Sequence, residues 1–290
     1  MPGFRLYFSL FNKYTKLDPR VSIKYLLNSY TSLQFSFGTY SQYLNRLETE
    51  IEAPGSDDYF IFPETFTLWR VADNKKLQPS KATHYVFTLK TKLTDEIDFT
   101  SGVYYKDFQR VYIIYYSSSE GYSGSLKEGK KKSYGVEFLL EKRIGKITGW
   151  LSYTLSKVIN WFPGVNQGKP YPPKYDRRHN FHIVAQYNLS PKWKFNLEWR
   201  YYSGVPYTPY GGGDKNSKRT PAYHRLDVGI IYTFKVKERW RFNLYLQIYN
   251  LYNNKNIIEV YYSKSSVNYI YSLPFFNPFK DRLTKTQPLI

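Results

Sequence analysis

The sequence predicts an all-β protein, an antiparallel, meandering transmembrane β-barrel wall of eleven or twelve strands. Three observations predict this fold. Apolar and polar residues alternate along segments long enough to cross a membrane, the connections between these segments alternate between short and long, and aromatic residues make up 20% of the chain. No sustained helical periodicity accompanies them.

The clearest alternation lies at residues 193–201. Large apolar or aromatic residues occupy each odd position, and charged or amide residues occupy each even one. Because successive side chains of a strand point to opposite faces, this segment has one apolar and one polar face. Strands of soluble proteins usually span about five or six residues, whereas a tilted strand needs roughly nine to eleven to cross a bilayer. The length of this segment favours a membrane strand.

The same alternation predicts the other strands in order along the chain. We place eleven strands at residues 4–11, 19–28, 32–42, 81–92, 97–115, 134–143, 147–158, 178–189, 192–203, 223–234 and 239–252. Short connections with turn residues are expected at 28–31, 93–96, 143–146, 190–192 and 236–238, and long ones at 44–80, 117–132, 159–175, 204–221 and 253–268. Outer-membrane barrels sort their turns and loops in this way, whereas a soluble sandwich has no reason to do so.

The composition agrees with a membrane barrel. The chain has 32 Tyr, 20 Phe and 6 Trp, more than a soluble core needs, and aromatic girdles at both membrane interfaces would use the excess. A mean hydropathy of −0.56 excludes a bundle of transmembrane helices. It does not exclude a barrel, because only half of each barrel strand faces lipid. The absence of cysteine excludes disulfides and thiolate metal sites.

Nine short motifs follow one another along nearly the whole chain. They lie at residues 17–20, 37–42, 104–108, 134–137, 153–156, 175–180, 202–209, 223–227 and 249–253. Each motif is weak alone, but their order and spacing together are quite specific. They resemble the C-terminal barrel portion of TonB-dependent outer-membrane receptors, particularly those of Bacteroidetes-like bacteria.

The chain departs from the pattern of this family in two ways. Family members close a barrel of about 22 strands around a plug domain, whereas this chain has room for about twelve strands. We therefore expect a fragment that lacks the plug and the N-terminal box that contacts TonB, and whose start carries no secretory signal pattern. Residues 1–273 are assigned to the barrel portion, and residues 274–290 to an irregular tail outside the sheet, because prolines and charges interrupt the alternation there. Alone, the chain should insert poorly into outer membranes.

The resemblance also implies a function and a location. It implies part of a receptor in the outer membrane that binds a scarce, bulky nutrient outside the cell and imports it, with no enzymatic activity and no cofactor. The implied partners are outer-membrane lipid, an extracellular nutrient, and the TonB complex through the missing N-terminal part only.

Two alternatives from other functional classes are a passive porin-like channel and a soluble basic β protein that binds nucleic acid. The second rests on a net charge of +19, with a cluster at Lys127, Lys130, Lys131 and Lys132. Because the basic residues are spread over all segments and form no RNA-binding signature, we do not expect nucleic acid as a partner.

Few residues suggest site chemistry. His179 and His182, three apart on a strand, should point to opposite faces and so cannot chelate one ion without a bulge. Asp176, Arg177 and Arg178 could contact an anionic ligand, but a rim salt bridge that fixes a loop to a strand is the favoured interpretation.

Two further features are weighed in the same way. The aromatic segment 202–210, followed by glycines at 211–213, is interpreted equally well as a docking surface or as a strand that leaves the membrane. Glu137 and Glu141 should face inward from one strand, which is ordinary for a wet lumen, and no hydrolase motif occurs. The sequence therefore assigns no catalytic, cofactor-binding or metal-binding residue and no ligand-binding residue.

Overall fold

The computed structural model describes residues 2–9, 14–51, 68–72, 78–116, 124–209, 213–237, 239–263, 266–271 and 285–288. Across these ranges the chain forms β-strands joined by turns and loops, with a single 3-10 turn at Asn166–Gly168. No helix in this part of the chain is long and apolar enough to span a membrane. The predicted all-β class is confirmed.

The strands of the described residues follow one another in a simple order. They are β1 (Pro2–Ser9), β2 (Tyr14–Leu26), β3 (Thr31–Gln42), β4 (Leu44–Ile51), β5 (Leu68–Val71), β6 (Ser80–Thr94), β7 (Ile97–Tyr116), β8 (Ser125–Lys142), β9 (Ile147–Trp161), β10 (His179–Asn188), β11 (Trp193–Tyr202), β12 (Pro206–Tyr207), β13 (Lys218–Arg219), β14 (Tyr223–Val236), β15 (Trp240–Ile248), β16 (Ile257–Ser263), β17 (Ser266–Tyr271) and β18 (Lys285–Pro288).

Eleven of the described strands form one antiparallel meander. Their order in the sheet is β1-β2-β3-β6-β7-β8-β9-β10-β11-β14-β15, so every strand pairs with its predecessor along this path. Each corresponds to one of the eleven predicted strands. The meander and its antiparallel pairing are therefore confirmed.

Several of the predicted loops contain additional strands. The long connection expected at 44–80 includes β4 and β5, and β4 also pairs in parallel with the end of β7. The connection at 204–221 contains the small pair β12 and β13. The connection expected at 253–268 is instead a hairpin of β16 and β17. Short pairs of this kind carry no alternation that a sequence pattern could detect.

The predicted loop at 117–132 is too long. Strands β7 and β8 continue pairing as far as Tyr115 and Ser125. The Lys-rich segment of β8 lacks apolar alternation, which predicts a loop. Its backbone nevertheless pairs with the apolar end of β7. This is a correction in which pairing with a neighbouring strand overrides local composition.

The irregular tail expected at 274–290 needs a partial correction. Of these residues, the structure describes Lys285–Pro288, and they form β18 in register with β17. Irregular backbone is therefore wrong for these four residues. This pairing belongs to a sheet of β16, β17 and β18 that is separate from the main sheet. The division of the chain at residue 273 stays a prediction.

The five short connections lie together at one end of the meander, called the turn end here, and the opposite end is called the loop end. Side chains close some of the turns. The Asn28 Oδ1 accepts hydrogen bonds from the backbone N–H groups of Tyr30 and Thr31, both at 2.8 Å. The Ser190 Oγ does the same for Lys192 and Trp193. These local bonds fix the pairing register of the flanking strands.

The register brings the apolar residues of successive strands onto one face, called the apolar face. One row across six strands contains Ile23, Phe35, Phe87, Val103, Val136 and Leu155. On β11 the odd-numbered residues remain open, with Trp193, Phe195 and Leu197 exposed to 41%, 36% and 38%. No second layer covers them within the described structure, so this face needs an apolar environment.

Aromatic rings flank the apolar face at both ends. Near the loop end, rings of Phe37, Tyr85, Tyr105 and Tyr134 follow one another across four strands at centroid distances of 5.2, 6.3 and 6.5 Å. Near the turn end, the ring centroids of Trp193 and Tyr232 lie 4.5 Å apart, and those of Phe234 and Phe242 lie 5.3 Å apart. Two aromatic bands bounding an apolar band are typical of outer-membrane barrels.

The opposite face, called the polar face, carries hydrogen-bonding side chains. The Gln34 Nε2 donates to the Ser22 Oγ at 3.0 Å, and Ser22 lies 3.1 Å from the Ser36 Oγ. Among the described residues, buried apolar clusters lie at the loop end, where Ile113, Tyr115, Phe162, Val165 and Tyr171 pack together and Leu47 packs on Tyr112. The wall is therefore a single layer, and its hydrophobic packing is concentrated above one end.

Replacement of Leu197 by Lys tests the assignment of the two faces. Leu197 lies on the apolar face between Ala185 and Val228, and a charge there should cost about 2–4 kcal/mol near the middle of a bilayer. We expect a correspondingly lower free energy of unfolding in lipid vesicles, measured by urea titration of tryptophan fluorescence. Asn196→Lys, one residue away on the polar face, is the control and should have little effect. Equal losses for the two variants would contradict the assignment.

Candidate ligand-binding site

The candidate site lies at the loop end of the polar face, where loops pack above the wall. Three structures meet there: an ion-pair cluster around Asp176, a pair of docked loops, and a pocket beside β4. The cluster and the docked loops are built by residues that follow strand ends, whereas the pocket is lined mainly by residues within strands, so the sheet positions all three.

Asp176 holds the returning loop to the wall. Its carboxylate is buried, with Oδ1 accepting a hydrogen bond from the Val158 N–H at 2.8 Å and Oδ2 paired with Arg219. The Nε of Arg178 lies 3.8 Å from the same oxygen. Arg219 Nη1 also donates to the carbonyl oxygens of Asp176 and Gly204, each at 2.9 Å. This arrangement fits the structural interpretation of the charged motif better than ligand contact.

Arg177 lies apart from this ion-pair cluster. Its guanidinium lies over the ring of Tyr202, 4.9 Å from the ring centre. Burial lowers the pKa of the Arg177 guanidinium, and the electrostatic influence of Tyr202 and Tyr223 partly offsets this. Tyr202 also stacks on Tyr223 at 5.5 Å. Arg177 therefore covers an aromatic pair at the rim.

Two loops dock on each other beside the cluster. The Asn166 Oδ1 accepts a hydrogen bond from the Lys215 N–H at 2.7 Å, and the Asn216 Nδ2 donates to the Pro172 carbonyl at 2.8 Å. The Lys215 ammonium lies 5.7 Å from the Tyr171 ring centre. These contacts hold the two connections together as one unit.

Phe162 anchors the first of these loops over β8. Its side chain is 1% exposed and lies against Gly129, where a Cβ would overlap both the Phe162 ring and the Trp161 carbonyl. Glycine is therefore required at position 129 by close approach, and the ring completes the buried cluster with Ile113 and Val165.

A pocket of about 370 Å³ lies where β3 ends and where β4 and β6 begin. Its wall includes the rings of Tyr40, Phe108 and Phe162, and polar side chains that include Asn45, His84, Lys131 and Asn160. The volume falls at the lower end of the range for small-molecule sites.

Several pocket residues have unused hydrogen-bonding capacity within the described chain. The Asn45 Nδ2, the His84 Nε2 and the Asn160 Oδ1 are each buried without a partner. Asn45 and Asn160 are only 4% and 2% exposed. An unsatisfied buried polar group costs roughly 1–3 kcal/mol, so such groups are expected where a ligand can supply the missing partner.

The structure separates the two histidines as the sequence predicted. His179 stacks on Tyr153 of the apolar face, and its Nδ1 lies 2.9 Å from the Tyr153 hydroxyl. His182 lies on the polar face, 2.7 Å from Glu198 and beside Arg200. Among the described residues, no group of three or more His, Cys, Asp or Glu side chains could hold a metal ion.

The basic cluster of the sequence is also divided between the faces. Along β8, Lys127 and Lys131 share the polar face, whereas Lys130 and Lys132 share the apolar face above the aromatic row. The four lysines therefore do not form one continuous basic patch. This weakens the nucleic-acid alternative.

The remaining candidate residues lie along the wall. Glu141 pairs with Arg143 at 3.2 Å. Glu137 lies on the polar face, and no contact among the described residues places it beside a catalytic partner. In the segment 202–210, Pro206–Tyr207 pair with Lys218–Arg219. Residues 210–212, which include two of the three glycines, lie outside the described residues. A docking role for this segment stays a prediction.

No sequence pattern marks the residues that line the pocket. Asn45 and Asn160 lie in the predicted long connections 44–80 and 159–175, and His84 looks like an ordinary strand position. The Ser80 hydroxyl of β6 donates a hydrogen bond to the Asn45 Oδ1, and the parallel pairing of β4 with β7 holds the same strand against the wall. An alternation pattern cannot show such a contact.

The comparisons with known proteins identify the family. Residues 1–251 match the family described as TonB dependent receptor-like, beta-barrel. The chain belongs to this TonB-dependent receptor family. The resemblance inferred from the nine motifs is therefore confirmed, and the receptor barrel explains the meander, the two aromatic bands and the long loops at one end. A comparison with curated proteins found no match.

Solved receptor structures have the same fold. The ferric-catecholate import receptor Fiu from E. coli K12 is 16% identical with a TM-score of 0.58, and the alignment covers 85% of this chain and 32% of that one. The siderophore receptor PiuA from Acinetobacter baumannii is 18% identical with a TM-score of 0.57, covering 85% and 33%. BauA, the ferric preacinetobactin receptor of the same organism, is 15% identical with a TM-score of 0.56, covering 90% and 34%. The chain thus spans about a third of the length of these structures.

Asp176→Asn tests the anchoring of the loops. The substitution removes the charge that pairs with Arg219, and hydrogen bonds to charged groups are worth about 1.5–3 kcal/mol. We expect faster proteolysis within residues 204–221. The matched control is Asp214→Asn, because its pair with Lys169 at 3.4 Å is exposed and worth little. Unchanged cleavage of the Asp176 variant would argue against this anchor.

Gly129→Ala tests the packing of Phe162. The added methyl overlaps the ring and the Trp161 carbonyl, and overpacking typically costs about 1–3 kcal/mol. We expect a lower thermal unfolding temperature in detergent and a changed near-ultraviolet circular dichroism signal. Gly102→Ala is the control, since a Cβ there meets only ordinary contacts at 3.7 Å. The packing account fails if the two variants behave alike.

Proposed function

We propose that this chain is part of an outer-membrane receptor that binds a scarce, bulky nutrient outside the cell and imports it with energy delivered through TonB. The observation that carries the proposal is the family match over residues 1–251. In this proposal the apolar face contacts outer-membrane lipid, the loop end faces outward, and residues 1–273 form the barrel portion.

The architecture of the loop end supports a receptor. The loops there are held by ion pairs to the buried Asp176 carboxylate and by a local core, and a pocket with unpartnered polar atoms lies beside them on the polar face. A passive channel needs neither a fixed loop assembly nor unsatisfied groups at its mouth. These features favour binding over simple diffusion.

The nutrient is proposed only as a class. The structural neighbours named above are receptors for iron complexes, but identities of 15–18% carry the fold and not the ligand. Capture of a scarce solute requires high affinity at the outer surface, and its release inward then requires energy. A bulky solute fits the long loops better than a small ion does.

Paired deletions in the source bacterium test this proposal. One strain lacks the coding region of this chain and the other lacks TonB, and both are grown on a panel of iron chelates, corrinoids and oligosaccharides as limiting nutrients. We expect both strains to lose growth on the same nutrient, with recovery when the deleted region is restored. A passive channel predicts loss only in the first strain, and that result would overturn energised import.

A fractionation experiment separates the soluble alternative. If the proposal holds, the chain sediments with outer membranes and is extracted only by detergent. Recovery as a soluble protein that binds DNA with a steep dependence on salt would instead support the nucleic-acid alternative.

A further inference from the structure

Aromatic rings occupy an unexpected place on the polar face. Where β3, β6 and β7 run side by side near the loop end, Tyr40 and His84 lie 4.4 Å apart and His84 and Phe108 lie 5.7 Å apart between ring centroids. Nearer the turn end, β3 carries Ser32, Gln34 and Ser36 on this face. A row of rings facing a wet lumen costs solvation, and it lines the pocket described above. Flat rings at a pocket wall favour a flat, ring-bearing ligand.

The charges at the pocket favour an anion. Lys81 and Lys131 line it together with a single carboxylate, Glu48. The Lys131 Nζ lies 5.1 Å from the Phe108 ring centre and 3.0 Å from the Tyr175 hydroxyl, so the ammonium is held against the aromatic row. Two cations against one anion leave positive charge beside the rings, where a carboxylate gains both Coulomb energy and charge-assisted hydrogen bonds.

The unpartnered amides add polarity and direction. Asn45 Nδ2 can only donate, and Asn160 Oδ1 can only accept. Both residues are more than nine-tenths buried and lie on the pocket wall. A ligand that carries an accepting oxygen and a donating hydroxyl or amine would form hydrogen bonds with both groups. These bonds would offset the desolvation penalty of the two buried amide groups.

We propose that the pocket formed by β4 and the polar face binds a ring-bearing carboxylate, either as a small molecule or as the terminal arm of a larger nutrient. The ring packs along Tyr40, His84 and Phe108, and the carboxylate lies toward Lys131. This inference deepens the proposed function and rests on it for the nutrient, but binding by the pocket itself requires no TonB.

The volume sets the size of the ligand. About 370 Å³ accommodates one substituted ring, or two small ones, and not an entire bulky nutrient. The occupant is therefore a single ring or the arm that enters first, with the remainder in contact with the surrounding loops.

Binding of 4-hydroxybenzoate to the full chain in detergent tests the inference. Saturation-transfer NMR and calorimetric titration should show saturable binding, with 4-hydroxybenzamide as the probe that lacks the charge and acetate as the probe that lacks the ring. We expect both to bind at least tenfold more weakly than 4-hydroxybenzoate. Binding of 4-hydroxybenzamide as tight as that of 4-hydroxybenzoate, or no saturable binding of any probe, overturns the proposal.

Adjacent lysines supply a matched pair of variants. Lys131→Met should weaken 4-hydroxybenzoate binding at least tenfold, and Lys131→Arg should retain binding within a few fold because the charge is kept. Lys132→Met removes the same charge one residue away on the other face and should leave affinity unchanged. Equal losses for Lys131→Met and Lys132→Met would show a non-specific charge effect and refute the site.

The outcomes also separate this inference from the proposed function. If both deletion strains lose growth on one nutrient but 4-hydroxybenzoate does not bind, the ligand class is wrong and the receptor role stands. If 4-hydroxybenzoate binds with the expected lysine dependence while TonB is dispensable for growth, the pocket stands and energised import is wrong.

Discussion

Antiparallel backbone pairing in one fixed register is the interaction on which the rest of this structure depends. The main sheet is a single layer without a second sheet or helix packed upon it in the described residues, so no interior core decides which side chains are inside. The register alone assigns each residue to one of two environments. A slip by one residue would exchange the apolar and polar faces of a strand. Short turns such as the one closed by Asn28 therefore matter more here than in a protein with a core.

The stabilising interactions change character along the strands. Over the apolar band, the wall is stabilised by backbone hydrogen bonds and by rings and aliphatic side chains that suit a hydrocarbon environment. Beyond the aromatic row near the loop end, the strands extend further, and side chains of the loops pack against them. Phe162 packs on Gly129, and Asp176 binds the Val158 N–H and the Arg219 guanidinium. The end of β7 that does not pair with β6 pairs with β4 instead. The fixed loops and the pocket arise from this second regime.

The fold was largely predictable because its rules are local. Alternation over residues 193–201 and the turn residues at 190–192 place β11 without knowledge of its neighbours. The predictions failed where a distant partner decides the structure. The Lys-rich start of β8 forms a strand because it pairs with β7. Lys285–Pro288 form a strand because they pair with β17. Neither partner can be identified from the segment itself.

The site was less predictable than the fold for the same reason. Lys127 to Lys132 look like one basic cluster in the sequence, yet alternation along β8 divides them between two environments. The role of Asp176 could be predicted, because its charged motif lies next to a predicted strand and can be recognised from the local sequence alone. Asn45, His84 and Asn160 lie on three different strands, far apart in sequence. Their convergence depends on the order of strands in the sheet.

Register sorts neighbouring residues of one strand between an apolar face and a polar face. Because the chain contains no cysteine, single cysteines placed in turn at residues 193–202 can carry a spin label without background. In lipid vesicles, accessibility to oxygen should be high at Trp193, Phe195 and Leu197, and accessibility to a polar nickel complex should be high at Lys194, Asn196 and Glu198. This period-two pattern is the predicted result. Accessibilities that vary without alternation, or with the two faces reversed, would contradict the account.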